Sequence, residues 1–306
     1  MTTSRALVIS SLLLAACAPT RTAVIARTPR PLAVRAPGVT GEISVTRLAH
    51  ATVLLEINGA RVLTDPWFTE SSQYHPGEPL GMSIEALPRL DAIVASHDHY
   101  DHFDTKALGW FRDKSTPLIV APGMRDDALE IGFTDVRELA PWRSTRVRGL
   151  TITAVPGKHS VTEVTYVLQK GGDTVYFGAD TELIPELDEV ARRFPSIQLA
   201  LLAVNGLAAF GNQHVMNAEQ AATLAAKLRP AVAVPTHYAF HGGWFSETFV
   251  LSYDGTPTRF ARRLAALRPA TSVRILPPGQ RLTISAPASP ERPSVTRTNG
   301  TSQRPR

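Results

Sequence analysis

Six consecutive residues, His97-Asp98-His99-Tyr100-Asp101-His102, hold three of the chain's nine histidines and two carboxylates. Imidazole nitrogen and carboxylate oxygen are the donors with which proteins bind borderline and hard divalent cations at neutral pH. The run follows an apolar segment, Leu90 to Ala95, that reads as a buried strand. In extended backbone, residues two apart share a face, so His97 and His99 can reach one ion. Asp101 and His102 lie beyond the strand end, where a turn can direct them to a second. A solvated polar loop does not require this alternation, and metal-ligand spacing does.

Three further donors follow, each just past an apolar run with strand character. His159 follows Leu150 to Pro156, Asp180 follows Thr174 to Phe177, and His237 follows Ala231 to Val234. Strand ends are where α/β folds present functional groups.

The hexamer has the form HxHxDH and, with the distant donors in this order, resembles the signature of the metallo-β-lactamase superfamily of binuclear metal hydrolases. That resemblance implies an α/β (α+β) chain folded as a four-layer αββα sandwich. It implies that His97, His99 and His159 hold one metal, that Asp101, His102 and His237 hold a second, and that Asp180 bridges both. Zinc is the default for such donors, and manganese and iron suit them too. Two such ions about 3.5–4 Å apart lower the pKa of a shared water toward about 7, so hydrolysis needs no covalent nucleophile. Asp101 and Asp180 would orient that water while serving as ligands.

Within the superfamily, Leu63-Thr64-Asp65-Pro66, the run Ser96 to Asp104 and the segment around His214 resemble one branch. It includes ascorbate-6-phosphate lactonase and the phospholipase D acting on N-acylphosphatidylethanolamine. The match covers roughly Ile43 to Tyr238. By this resemblance His214 is a substrate-side and catalytic residue, binding the substrate anion or protonating the leaving group. His50 and Asp65 match positions kept near the metal centre, and they complete the expected substrate-side set. Two departures stand out: Ser160 occupies the place of an aromatic residue in the phospholipase pattern, and Thr181 is followed by Glu182 instead of glycine. The expected activity is hydrolysis of a phosphodiester or phospholipid-like substrate, with a lactone or other carboxylic ester as the alternative. A non-catalytic metal-binding lipoprotein is the reading from another class, and the complete donor set opposes it.

The elements that must position these groups are legible in outline. Asn58-Gly59 marks a hairpin between strands at Ile43 to Ile57 and Arg61 to Thr64, and Gly171-Gly172 marks another between Val164 to Leu168 and Thr174 to Phe177. Asp104 can cap a short helix through Phe111, Asn217 with Gln220 has capping-box spacing before a helix at Ala218 to Leu228, and Pro257 to Leu267 forms a last helix. The loop from Trp67 to Met82 is long for a simple connection and is expected to wall the cleft.

The chain's 306 residues, 43% hydrophobic, suffice for one substantial core, placed at 42–286. Residues 1–17 carry Arg5, an apolar run to Leu14 and then Leu14-Ala15-Ala16-Cys17, which has the form of a secretory signal and resembles a bacterial lipobox. Cys17 is then lipidated and anchors the chain at the cell envelope, on the periplasmic face or the cell surface. It is the only cysteine, so no internal disulfide and no second thiolate ligand is available. Residues 18–41 read as a flexible tether and 287–306 as a disordered tail, both rich in proline and arginine. Residues 1–41 and 287–306 together carry a net +8 against a chain total of +5, which leaves the domain mildly acidic. Nucleic acid is therefore not an expected partner, whereas basic ends beside a lipid anchor suit anionic headgroups. The expected partners are a small-molecule or lipid substrate and the membrane.

Overall fold

The computed structural model describes residues 31–286. The signal segment with Cys17, most of the tether and the tail at 287–306 lie outside them. Two sheets dominate. The first runs in the order 32–35, 281–285, 42–49, 52–57, 60–64, 92–95, 118–120 and 136–138, and the second 272–273, 232–236, 199–203, 173–177, 164–170, 150–156 and 144–147.

Period-two alternation explains why the sheets stack. In the second sheet Tyr166, Leu168, Val175, Leu199 and Val232 point into a core shared with Val45, Leu55, Leu63 and Ile93 of the first. The intervening Val167, Tyr176, Ala200 and Ala233 point the other way, onto Leu187, Leu224, Phe260 and Leu264 from helices at 187–193, 218–228 and 257–267. Helices at 105–110 and 125–130 contribute Leu108 and Ala128 to the core of the first sheet. The result is the expected α+β sandwich with helices outside two sheets.

Capping residues set the helix starts. Asp104 accepts from the Ala107 amide, and Asn217 accepts from the amides of Glu219 and Gln220 while the Gln220 side chain accepts from the Asn217 amide. Both expected hairpins form, at 58–59 and 171–172, and they meet at the end of the sandwich remote from the hexamer. There Asn58 donates to the Lys170 carbonyl at 2.7 Å and to Asp173 at 2.9 Å, and Asp173 also accepts from the Thr40 amide at 2.7 Å.

Two expectations need correction. The stretch from Ile43 to Ile57 is two strands, Glu42–Ala49 and Thr52–Ile57, folded tightly at His50-Ala51 with His50 at φ 47°. No glycine, proline or asparagine announces this turn, and burial on both sides hides it from any hydropathy pattern. The tether also ends early, because Leu32–Arg35 pairs in parallel with Arg281–Ser285 and extends the edge of the first sheet.

Candidate metal centre

Six of the nine donors sit one to three residues beyond a strand, and His99, Asp101 and His102 follow within seven residues of the strand Ala92–Ala95. The first sheet supplies His50, Asp65, His97, His99, Asp101 and His102; the second supplies His159, Asp180 and His237. At these exits the backbone turns sharply: His50, Asp65, Ala179 and His237 have φ of 47°, 36°, 44° and 53°. A non-glycine residue in this region costs on the order of 1 kcal/mol, and such strain gathers where side chains must be aimed.

Seven of the nine groups form two sets. His97 Nε2 and His159 Nε2 each lie 3.1 Å from His99 Nδ1, so three ring nitrogens converge. Beside them Asp101, His102 and His237 cluster with His50. Asp180 Oδ2 is 2.6 Å from His237 Nε2 and 3.2 Å from His102 Nε2, and Asp101 Oδ2 is 3.6 Å from His102 Nε2 and 3.3 Å from His50 Nε2. The structure thus brings together all seven sequence-predicted donors.

Outer partners decide which nitrogen carries the proton. His102 Nδ1 donates to Asp65 at 2.6 Å, His159 Nδ1 to the His214 carbonyl at 2.9 Å, and His237 Nδ1 to Asn205 Oδ1 at 3.0 Å. Each leaves an Nε2 lone pair aimed inward, at another nitrogen or at a carboxylate. Lone pairs facing carboxylates repel unless a cation lies between them. His102 Nε2 and Asp180 Oδ1 are buried with no protein hydrogen-bond partner. The donor chemistry and these orphaned atoms fit divalent ions.

Electrostatics point the same way. Burial pushes His102 down, but Asp180, Asp101 and Asp65 outweigh it and hold the imidazole well above its ordinary value. Burial raises Asp180, and His102 and His237 more than reverse this, holding it well below the carboxylate range. Burial and its histidine neighbours hold His97 well down, and burial above all lowers His159 to about 4. The centre thus stabilises positive charge between its carboxylates while its peripheral imidazoles stay neutral, the protonation state a ligand needs.

Two substrate-side expectations fail. His50 and Asp65 are fully buried and neither lines the cleft. Asp65 is an orienting group, accepting from the Ser96 amide at 2.8 Å and from its hydroxyl at 2.7 Å besides His102. His50 packs against His237 with ring centroids 3.9 Å apart and the rings tilted by 49°, and burial and His237 hold its pKa down to about 3. Ser96, Asn205 and Glu163 escaped the sequence reading. Glu163 accepts from the Asp180 amide at 2.7 Å.

The cleft over these donors measures about 260 Å³. His99, Asp101, His159, Asp180 and His237 form its floor, and His214 and Ser160 stand beside them. Tyr74 from the long loop, with Phe240, Leu207 and Leu251, forms the walls. No lysine or arginine lines it.

A family model described as a beta-lactamase superfamily domain matches residues 60–238. A UPF0173 metal-dependent hydrolase of Anaeromyxobacter sp. (strain K) is 28% identical over 261 residues, which cover 78% of this chain and 86% of that protein. An uncharacterized protein of Mycobacterium tuberculosis is 27% identical over 274 residues, covering 82% of this chain and 71% of that protein. Among solved structures, a possible metal-dependent hydrolase from Veillonella parvula superposes with a TM-score of 0.64 at 19% identity, covering 78% of this chain and 98% of that one. With the fold and the donor cluster, these matches establish that the chain belongs to the metallo-β-lactamase superfamily and is a metal-dependent hydrolase of it.

Proposed function

We propose that the protein hydrolyses a phosphodiester carrying an apolar substituent, a phospholipid-like substrate, at the bacterial cell envelope. The observation that carries this reading is the composition of the cleft: a floor of His and Asp donors beneath walls of Tyr74, Phe240, Leu207 and Leu251, with no cationic side chain. Such walls favour an apolar group. A phosphodiester has a single negative charge, which cations on the floor can meet without help from lysine or arginine. The lipobox-like Leu14-Ala15-Ala16-Cys17 supports the location.

When bound, two divalent cations would supply Lewis acidity and a water activated near neutral pH. His97, His99 and His159 would hold one and Asp101, His102 and His237 the other, and Asp180, beside His102 and His237, would be shared by the two. The chain's own groups do the rest. Asp101 and Asp180 orient the attacking water through their free oxygen lone pairs. The half-buried His214 ring packs against the His159 ring, with centroids 6.0 Å apart, on the cleft side. It is placed to give a proton to the leaving oxygen. Burial, with Asp101 next, pushes the Tyr74 phenol up to about 12, so it remains an O–H donor for a substrate oxygen at neutral pH.

A lactone or other carboxylic ester is the second reading, favoured by the same lack of cationic side chains, because a neutral substrate needs none. Purified, metal-loaded protein assayed on bis-p-nitrophenyl phosphate and on a lactone panel separates the two. Turnover of lactones with none of any phosphodiester overturns the first reading. Fewer than one bound ion per chain after reconstitution with zinc, manganese or iron would instead favour a non-catalytic lipoprotein.

A further inference from the structure

Among the described residues, the four most exposed large apolar side chains are Phe210, Trp244, Phe245 and Phe249, at 79%, 76%, 63% and 61%. They are not scattered. Trp244, Phe245 and Phe249 share the short helix Gly243–Phe249, with ring centroids of 5.9 Å for Trp244–Phe249 and 5.2 Å for Phe245–Phe249. Phe210 sits at the tip of a neighbouring turn, its amide donating to the Val250 carbonyl at 2.9 Å. The strand pair 208–209 and 251–252 ties the turn to the helix. Ala209 and Leu251 of that pair also line the cleft, so the aromatic patch is the outer lip of the active-site mouth.

The lip is also nearly free of charge. Across 205–217 and 238–253 the only charged side chain is Glu247, and its carboxylate accepts from the Gly242 amide and the Tyr253 hydroxyl, both at 2.7 Å. Water-facing surfaces of soluble domains do not ordinarily gather tryptophan and phenylalanine without charge, and a patch of this kind marks an interaction site. Tryptophan and phenylalanine on a short helix whose single charge, Glu247, is held by local hydrogen bonds suit the headgroup boundary of a bilayer.

We infer that this lip docks on a lipid surface, setting the cleft mouth against the bilayer. The choice of a bilayer over a protein partner rests on the proposed lipid-like substrate. A protein seated here would close the mouth to substrate, whereas a membrane is where such a substrate resides. No described helix is long and apolar enough to cross a membrane, so the contact is a surface one. The stretch 18–30 between Cys17 and the described residues can span at most about 45 Å. A domain of this size has a radius of gyration of about 18 Å. An anchor at Cys17 therefore lets any face meet the lipid, and the aromatic lip selects one.

The test uses the full chain on vesicles of phosphatidylcholine and phosphatidylglycerol, with and without brominated acyl chains. Bromine quenches only tryptophans that enter the bilayer. Wild-type emission is quenched, Trp244→Phe loses more than half of that quenching, and Trp110→Phe keeps it. The double variant Phe245→Ser/Phe249→Ser, which retains Trp244 as reporter, is quenched less than wild type. Hydrolysis of soluble bis-p-nitrophenyl phosphate, measured in parallel, confirms that the variants fold. Equal quenching in wild type and Trp244→Phe, or none in either, overturns docking. So does a Trp244 emission that shifts with protein concentration in lipid-free buffer, which assigns the patch to a second copy. If docking fails, soluble turnover is untouched; if the proposed substrate class fails, turnover is absent while quenching persists.

Discussion

The two donor sets lie side by side and differ in charge and in access. His97, His99 and His159 are all neutral nitrogen donors, and His99 and His159 are partly open to the cleft. The other set joins Asp101 to His102, His237 and His50, and every member is buried, with only Asp101 and His237 reaching the cleft floor. The open set can exchange water or substrate at little cost. The closed set is bound into Asp65, Ser96 and Asn205, and its carboxylate charge makes it the tighter site for a hard cation.

Substitution and titration test this contrast. The largest effect belongs to Asp180, the carboxylate proposed to serve both sets, which contacts His102 and His237 and whose charge also acts on His97 and His159. Asp180→Ala is expected to remove both ions and cut kcat by more than the roughly 100-fold typical of outer partners. Metal analysis with steady-state kinetics checks this, and a variant that keeps two ions would refute the shared role. Next, Asp65→Asn and Asn205→Ala each reorient one ligand of the closed set and should lower affinity for one ion by about 10–100-fold, leaving the other bound. Stepwise titration of metal-stripped protein reads this directly. Loss of both ions together would mean the sets are not separable.

A smaller effect is expected at His50. Replacing its buried ring in His50→Ala leaves a cavity costing about 3 kcal/mol, while kcat on a soluble substrate falls far less than in Asp180→Ala. Thermal unfolding against kinetics separates the two. An activity loss as large as that of Asp180→Ala would make His50 a ligand in its own right.

The smallest is a pH effect on metal-free protein. Burial holds His50 to about 3 and His159 to about 4, both below the ordinary 6.5 of the unfolded chain. Below pH 6.5 the unfolded chain therefore binds more protons, so these groups stabilise fully above that pH and their contribution is lost as pH falls through about 4. His102 is shifted upward and works in the opposite sense, stabilising below 6.5 and losing effect as pH rises. The downward shifts also include His97 and His99, whereas Asp65 and Glu163, raised by burial, act with His102, so four lowered imidazoles are set against three raised groups. A fall in Tm of roughly 5–10 °C between pH 7 and pH 4.5 is expected. A flat profile would show that the three raised groups cancel the rest.

Much of this centre was legible because its donors obey one rule, a polar ligand just beyond an apolar strand. The two hairpins were legible because Asn58-Gly59 and Gly171-Gly172 supply the left-handed conformations that tight turns demand. Ser96 and Asn205 follow the same strand-end rule, but serine and asparagine are ordinary turn residues and give no chemical signal. Glu163 precedes its strand, so its approach to the Asp180 amide is purely tertiary. His50 looked like part of a continuous strand because Leu48 to Val53 is buried throughout. The cleft walls Leu207 and Leu251 come from segments far apart in the chain, joined by a strand pair too short to leave a pattern.

The division of donors between the sheets has a mechanical consequence. Each set takes ligands from both halves of the sandwich, so a loaded ion is a cross-link between them, as a zinc site is in a small domain. At the far end Asn58 and Asp173 form a permanent clasp of hydrogen bonds. Stripping the ions should therefore loosen the molecule like tongs released at the tips. Amide exchange would quicken around His97 and His237 first and around Asn58 last, making metal supply a determinant of how long the folded chain survives as well as of what it can cleave.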